Sequence, residues 1–269
     1  MKYGIISDIH EDVVRLKEAL NILEEKKVDE IICLGDMVGF SVPYYTYWET
    51  RSSNEVVNIV RAECSVVVIG NHDLNAIQKL PHHKDFFDYP TLWYALDYDT
   101  RKMLSNNKVW LYDNDLPSCL SDKNKEYIAS LPEYVVKDMG DHNVLLSHYA
   151  YPDLTGSAVE EIKDIPQLGK NFHFMSQKNC VYGFSANDHY EGVCYFTREN
   201  KGSIGFCESL ELGEEPLWLH GPTVSRGEFH NGILIYDSKI RVMESIPLKS
   251  KTHRVIGEWI KFDEKGDNR

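Results

Sequence analysis

The early part of the chain alternates short apolar runs with segments in which apolar residues recur every three or four positions. The runs are typical of buried strands and cover Tyr3 to Ser7, Ile31 to Leu34 and Val66 to Ile69. An amphipathic helix after the first run is predicted by the spacing of Val13, Leu16, Leu20 and Leu23. A second helix is predicted by the capping-box spacing of Ser52 and Glu55. This βαβαβ order predicts a parallel sheet.

The stretch from Ala76 to Leu131 is rich in aromatic residues and has a weaker pattern. Two interpretations stay open: helices packed on the sheet, or a cap that supplies aromatic contacts to a substrate. Only Ser121 to Leu131, stopped by Pro132, has a clear helical pattern. The aromatic residues in question are Phe86, Phe87, Tyr89, Trp93, Tyr94, Tyr98 and Trp110.

The pattern changes after Val193, where short β-rich runs alternate with Gly, Asp and Asn turns. We expect these runs to form a second, antiparallel or mixed sheet packed on the first. They are Gly192 to Phe196, Ser203 to Cys207, Ile233 to Tyr236 and Ile240 to Ile246. Residues 1–248 are expected to form a single domain, and residues 249–269 a peripheral helix or tail.

Composition narrows the class of protein. The chain has 269 residues, 42% hydrophobic and 26% charged, which are ordinary globular values. Its net charge of −13 argues against non-specific binding to nucleic acid or to anionic membranes. No apolar run approaches the roughly 18 residues of a membrane span, and no signal peptide is visible. The six cysteines show no C-x-x-C spacing, so we expect reduced thiols and a cytoplasmic location.

Asp, Asn and His residues follow five predicted strands at the points where those strands end. The carboxyl ends of parallel strands meet at one edge of the sheet, where open α/β folds bind their ligands. Carboxylate, amide and imidazole groups together suit divalent metals. The sequence therefore predicts one shared metal site, built from Asp8-Ile9-His10, Gly35-Asp36, Gly70-Asn71-His72-Asp73, His148 and Asp188-His189.

In their order and context these motifs resemble the calcineurin-like metallophosphoesterases, and more narrowly the compact bacterial branch with a G-D-x-V-G motif. The matching segments are Asp8-x-His10, Gly35-Asp36-x-Val38-Gly39, Gly70-Asn71-His72-Asp73 and His148. The resemblance covers residues 1 to about 248. It implies an α/β fold, a four-layer αββα sandwich of two mixed β-sheets flanked by helices, with a two-metal centre.

The chain departs from the family pattern at the last motif, which is G-H-x-H in the family. Here Ala186-Asn187-Asp188-His189 takes its place, so Asn187 stands where the first His is expected. The Asp-Arg-Gly that follows the second motif in Ser/Thr protein phosphatases is also absent, since Met37 to Phe40 occupy that stretch. A Ser/Thr protein phosphatase is therefore a disfavoured alternative.

Carried over position by position, the resemblance implies the ligands of two divalent ions that share Asp36 as a bridge. The first ion would be held by Asp8, His10, Asp36 and His189. The second would be held by Asp36, Asn71, His148 and Asn187. Mn²⁺ is the favoured metal, and Fe, Zn or Ni are also compatible with these ligands. Such a centre would be positive inside an acidic protein, as a phosphate ester requires.

The expected reaction is hydrolysis of a small phosphomonoester or phosphodiester, plausibly a nucleotide, by attack of a metal-bound hydroxide. Bound metals lower the pKa of water from about 15.7 to about 7, which is a larger effect than the rate increase of about 10²–10⁴-fold that a general base contributes. The metals are therefore expected to make the hydroxide. His72 is therefore assigned to donate to the phosphoryl oxygens or the leaving group, with Asp73 or another Asp holding its ring. A non-catalytic metal- or nucleotide-binding regulator is the alternative from a different class.

Overall fold

The computed structural model describes residues 1–256 and 259–262, and its central feature is a pair of six-stranded sheets packed face to face. The N-terminal elements are β1 (Lys2–Ile6), α1 (Val13–Glu25), β2 (Glu30–Cys33), β3 (Phe40–Ser41), α2 (Ser53–Glu63), β4 (Val66–Val67) and α3 (Asn71–Ala76). The middle elements are a 3₁₀ turn (Trp93–Ala95), α4 (Tyr98–Ser105), β5 (Asp115–Leu116) and α5 (Asp122–Ser130).

The second half contains most of the strands. Its elements are β6 (Tyr134–Asp138), β7 (Asn143–Ser147), a 3₁₀ turn (Ile165–Leu168), α6 (Gly169–Gln177), β8 (Tyr182–Ser185), β9 (Val193–Thr197), β10 (Lys201–Ile204) and β11 (Ser209–Glu211). They continue with β12 (Leu217–His220), β13 (Gly232–Asp237), β14 (Val242–Pro247), β15 (His253–Ile256) and β16 (Trp259–Phe262).

The first sheet has the order β11-β14-β13-β1-β2-β4, and β1, β2 and β4 run parallel as the βαβαβ pattern predicts. The helix predictions for this half are also confirmed. Asp12 caps α1, whose buried residues include Leu16 and Leu23. Ser52 caps α2, although the Glu55 carboxylate pairs with Lys17 instead of completing a capping box.

The second sheet has the order β10-β9-β12-β8-β7-β6, with β7, β8 and β12 parallel to one another. The prediction that all the later β-runs form this sheet is wrong for β13 and β14. They pair instead within the first sheet, where β13 lies antiparallel to β1 with Lys2 opposite Asp237. Residues 232–236 are buried on both faces, and such a run does not reveal which sheet it joins.

Apolar side chains fill three layers and produce the four-layer αββα sandwich. Between the sheets, Ile5 and Ile32 of the first sheet pack with Leu146, Phe184 and Leu219 of the second. Side chains of α1, α2 and α5 form the apolar layer on the outer face of the first sheet. Side chains of α6 form the corresponding layer on the outer face of the second sheet. No helix in the described part of the chain is long and apolar enough to cross a membrane.

The C-terminal segment differs from the predicted peripheral helix or tail. Strands β15 and β16 form an antiparallel pair, with His253 opposite Phe262. Ladder hydrogen bonds between the two short segments take the place of helical ones, so the helix alternative does not hold for residues 253–256 and 259–262. Residues 257–258 and 263–269 of that predicted segment lie outside the described residues.

Candidate metal centre

The predicted ligands come together where strands of both sheets end. The loops after β1, β2 and β4 come from the first sheet, and the loops after β7 and β8 come from the second. The backbone of this region is unusual, because Asp8, His10, Asp36 and His189 have positive φ values of 52°, 46°, 51° and 51°. Non-glycine residues rarely adopt this conformation, and such strain concentrates at functional sites.

Asp8, His10 and His189 form the first ligand group, with ligand atoms all within 4.8 Å of one another. His10 Nε2 lies 3.3 Å from His189 Nε2, which in turn lies 3.3 Å from Asp8 Oδ1. The Nδ1 atom of His10 is 2.9 Å from the Gly39 carbonyl oxygen and donates to it. This hydrogen bond leaves the Nε2 lone pair of His10 directed at the other two ligands.

Asp8, Asp36 and His148 form the second group within the same 4.8 Å limit. His148 Nδ1 donates to the Leu34 carbonyl oxygen at 2.7 Å, and its Nε2 lies 3.2 Å from Asp36 Oδ2. Burial lowers the pKa of His148, but the charges of Asp36 and Asp8 outweigh burial and raise it to about 10. A divalent cation held by the same carboxylates would compete with that proton for Nε2.

Three buried atoms in this region lack hydrogen-bond partners: Asp8 Oδ1, Asn71 Oδ1 and His148 Nε2. Unpaired buried polar atoms are costly, and those found in native proteins call for an explanation such as an ion. A carboxylate oxygen, an amide oxygen and an imidazole nitrogen are the donors that Mn²⁺, Fe or Zn accept. The residues present therefore fit divalent metal ions.

Asp36 lies between the two groups, where a bridging ligand is expected. Its Oδ2 atom is 3.2 Å from His148 Nε2 and 3.9 Å from His10 Nε2. Its Oδ1 atom accepts the backbone N–H of His72 at 2.9 Å, which fixes the carboxylate. Only a glycine fits at position 70, because a Cβ there would overlap the Asp36 side chain. The Gly-Asn-His-Asp turn therefore orients Asp36 as well as supplying Asn71.

His72 is held by Asp115 on β5, with 2.6 Å between His72 Nδ1 and Asp115 Oδ2. Burial lowers the pKa of His72, but the Asp115 and Asp36 carboxylates outweigh it and raise it to about 9. Ser41 donates a hydrogen bond to the other Asp115 oxygen. A ring nitrogen of His72 also lies within 4.8 Å of ligand atoms of His10 and Asp36, so these three residues form a further candidate metal-binding group. The Asp115 carboxylate therefore favours the protonated ring, which lies next to both ligand groups.

Asp73 does not hold the His72 ring, and this part of the sequence-based assignment is corrected. Its Oδ1 accepts the Val38 N–H at 3.2 Å and its Oδ2 accepts the Gly70 N–H at 3.2 Å. Burial and the nearby Asp36 raise the pKa of Asp73 to about 7, although these backbone donors lower it. Both oxygens point into the turn because Asp73 lies inside α3. Asp73 therefore positions the loops rather than touching the reacting groups.

Asn187 is brought to the site, but its amide has partners of its own. Its backbone N–H donates to Asp8 Oδ2 at 3.3 Å, and its Nδ2 donates to Asp188 Oδ1 at 3.0 Å. Its carbonyl oxygen packs against Gly156, where a Cβ would overlap it. The loop after β7 therefore meets the last motif, and the role of Asn187 as a ligand stays a prediction.

A cavity of about 990 Å³ opens beside the candidate metal ligands. Trp110 and Tyr112 from the aromatic-rich stretch line it, whereas Phe87, Tyr89 and Trp93 pack on one another. Sequence reasoning missed Asp115, Tyr112 and His220 in this wall. The run Asp113-Asn114-Asp115 inside an aromatic stretch was the available signal for Asp115.

The fold and these ligand groups define the class of the protein, and comparison with known proteins identifies its family. Residues 1–207 match the calcineurin-like phosphoesterase superfamily domain. The chain belongs to this family.

Individual relatives are distant. Uncharacterized protein MJ0912 of Methanocaldococcus jannaschii is 26% identical over 162 residues, which are 56% of this chain and 54% of that protein. The chain thus matches only about half the length of this relative. The crystal structure of a metallophosphoesterase from Sphaerobacter thermophilus has a TM-score of 0.65 at 20% identity, over 93% of this chain and 88% of that one. Hypothetical protein PH1004 from Pyrococcus horikoshii OT3 has a TM-score of 0.54 at 14% identity, over 92% and 88%. Both confirm the fold.

Proposed function

We propose that this chain hydrolyses a small phosphomonoester or phosphodiester with the help of two divalent metal ions. The observation that carries the proposal is the set of buried, unpartnered ligand atoms Asp8 Oδ1, Asn71 Oδ1 and His148 Nε2. These atoms lie in a chain of the calcineurin-like phosphoesterase family. Bound cations would remove the cost of leaving them unpaired, since each atom can donate a lone pair once a cation has displaced the proton of His148 Nε2.

The residues divide between two metal positions. Asp8, His10 and His189 would hold one ion, and His148 and Asn71 would hold the other, with Asp36 between them. Asn187 completes the second position in this proposal, and Mn²⁺ is the favoured ion. When bound, the two ions would lower the pKa of a coordinated water and offset phosphoryl charge. Every other contribution comes from side chains of the chain itself.

His72 is the proposed catalytic residue. Its Nδ1 atom is occupied by Asp115, so Nε2 is the donor available to a phosphoryl oxygen or to the oxygen of the leaving group. Because the Asp115 carboxylate favours the protonated ring, His72 would stabilise the negative charge that develops in the transition state. Asp73 supports this role indirectly through the turn that carries His72.

The cavity supports a substrate of nucleotide size. Its volume of about 990 Å³ lies at the upper end of the range for small-molecule sites. Trp110 and Tyr44, which are 47% and 43% exposed, line it. Exposed aromatic rings of this kind offer faces on which a planar base stacks. We propose a nucleotide as the plausible substrate on this ground.

The direct test measures metal content and hydrolysis together. Purified protein loaded with Mn²⁺ should bind two ions and hydrolyse p-nitrophenyl phosphate or bis-p-nitrophenyl phosphate. Asp36→Asn should lower metal content and hydrolysis together, because the bridging charge is lost. Full loading with two ions but no hydrolysis of either ester would contradict the proposal and favour a non-catalytic metal- or nucleotide-binding regulator.

A further inference from the structure

A cysteine, a histidine and an aspartate lie together in the wall of the cavity, and the proposed hydrolysis uses none of them. Cys194 on β9 lies directly opposite His220 on β12 in the antiparallel pairing. Residues in this relation project from the same face, with Cβ atoms about 4.5–5.5 Å apart. His220 Nδ1 is 3.1 Å from Asp188 Oδ2. All three residues line the cavity.

His220 is a buried imidazole with an incomplete set of partners. It is 3% exposed, and its ring stacks on Trp218 with 5.0 Å between centroids. Neither ring nitrogen has a well-directed hydrogen bond, even though Nδ1 lies close to Asp188. A buried polar ring that borders a cavity in this way has a nitrogen left for the neighbouring sulfur or for a molecule that enters.

The carboxylate beside His220 is itself held in place. Tyr149 donates its hydroxyl to Asp188 Oδ2 at 3.1 Å, and Asn187 Nδ2 donates to Oδ1 at 3.0 Å. An imidazole next to a cysteine can accept the proton of the thiol and leave the thiolate, which is the nucleophilic form.

We propose that Cys194 is a reactive thiol that small electrophiles and peroxides modify from within the substrate cavity, and that this modification obstructs substrate binding. The site is the sulfur of Cys194, with His220 beside it as the proton acceptor and Asp188 orienting the ring. The obstruction of substrate rests on the proposed phosphoesterase function. The reactivity of the thiol does not depend on that function.

Both modifications need only the Cys194 sulfur, the His220 ring and the added reagent. With iodoacetamide, the thiolate sulfur forms a bond to the methylene carbon, and iodide leaves with the electron pair of the C–I bond. With hydrogen peroxide, the sulfur forms an S–O bond as the O–O bond breaks, and it is oxidised to a sulfenic acid. The departing hydroxide takes the proton held by His220 and leaves as water.

The experiment uses the other cysteines of the same chain as controls. The intact protein is treated briefly with limiting iodoacetamide at neutral pH, and labelling of each cysteine is followed by peptide mass spectrometry. Cys119 and Cys207 are exposed, whereas Cys194 is only partly so. Exposure alone therefore predicts slower labelling of Cys194. We expect Cys194 to react at least about tenfold faster than Cys207, because the neighbouring imidazole can accept its proton.

Two further measurements make the result specific. His220→Asn should reduce the labelling rate of Cys194 to that of Cys207 or below, and Mn²⁺ with inorganic phosphate should slow labelling of Cys194 alone. Equal rates for Cys194 and Cys207 in the unmodified protein would overturn the proposal, and that comparison requires no variant to fold. An unchanged Cys194 rate in folded His220→Asn would overturn the role of the imidazole.

Activity measurements separate this inference from the proposed function. Hydrolysis by the wild-type protein should fall in parallel with labelling of Cys194, and Cys194→Ser should lose this sensitivity relative to its own untreated rate. If the untreated protein has no activity, the phosphoesterase proposal fails while the labelling comparison still decides the thiol proposal. If Cys194 is fully labelled with no loss of hydrolysis, the thiol is reactive but its modification does not obstruct substrate binding. That part of the proposal would then be wrong.

Discussion

At the scale of single residues, the partner of His72 shows how the site divides positioning from chemistry. The adjacent Asp73 uses both carboxylate oxygens on backbone N–H groups of the turn. The distant Asp115 is the carboxylate that contacts the imidazole. The two aspartates therefore have different roles, and their substitution should give different results.

We predict that Asp115→Asn lowers turnover without removing the metals. The variant loses the charge that keeps His72 cationic, so the loss should approach the roughly 10²-fold effect of deleting a general acid. Turnover and metal content of the purified variant should be measured together. Asp113→Asn is the matched control, since Asp113 lines the same cavity but bonds the Tyr98 hydroxyl. Equal turnover in the two variants would mean that Asp115 does not act through His72.

Asn187 gives a second prediction at this scale. An amide oxygen binds divalent metals more weakly than an imidazole nitrogen does and suits Mn²⁺ better than Zn²⁺. Hydrolysis by the wild-type protein should therefore depend on added Mn²⁺, and Asn187→His should need less of it. Mn²⁺ is titrated against activity in both proteins. Indistinguishable titrations would show that the side chain at position 187 does not face the metals.

The sequence revealed the candidate ligands more fully than the side chains that contact them. Asp8, His10 and Asp36 stand in short motifs directly after strands, so local pattern and strand order were enough to bring them together. Asp115 and His220 have no such motif. Their contacts depend on the packing of β5 and on the order of strands in the second sheet, which local periodicity does not report.

At the scale of elements, the turn between β2 and β3 is shaped to hold the His72 ring. Gly39 has a φ of +93°, and a Cβ at this position would lie 2.5 Å from both Cβ and Nδ1 of His72. Its carbonyl oxygen meanwhile accepts from His10 Nδ1. One glycine thus fixes the orientation of a ligand and leaves room for the proposed catalytic residue.

We predict that Gly39→Ala lowers turnover by about 10²-fold, because a displaced catalytic ring loses its alignment with the substrate. The backbone strain alone should cost roughly 1–2 kcal/mol of stability. Gly140→Ala controls for that strain, since Gly140 has a φ of +106° and no atom within 4 Å of its added Cβ. Turnover and thermal unfolding are compared in the two variants. If Gly140→Ala loses as much turnover as Gly39→Ala, contact with His72 is not the cause.

Element prediction succeeded where a run and its neighbours in sequence pair with each other. Strands β1, β2 and β4 follow the βαβαβ rule, because crossover connections place consecutive strands side by side. Strand β13 returns from the far end of the chain to pair with β1, and no local pattern encodes that return. The pairing of β15 with β16 is an exception, since these two segments are neighbours in sequence and the prediction there was a helix or tail.

At the scale of the whole molecule, the ligand groups join the two sheets. Asp8, Asp36 and Asn71 follow strands of the first sheet, whereas His148 and His189 follow strands of the second. Carboxylates and imidazoles from opposite halves therefore face one another in the buried centre. Ions bound there would be held by residues from both sheets of the sandwich at once.

We therefore predict that the metals stabilise the fold as a whole. Ligands that bind only the folded state add about 2.7 kcal/mol at a concentration one hundred times Kd. Treatment with a chelator should lower the midpoint of thermal unfolding, and added Mn²⁺ should restore it. Asp36→Asn, which lacks the bridge, should show a much smaller shift. If chelation empties the wild-type protein of metal without moving its unfolding midpoint, the ions do not couple the two sheets. The unpartnered atoms of Asp8, Asn71 and His148 would then need another explanation, because their burial would persist without a cation to offset it.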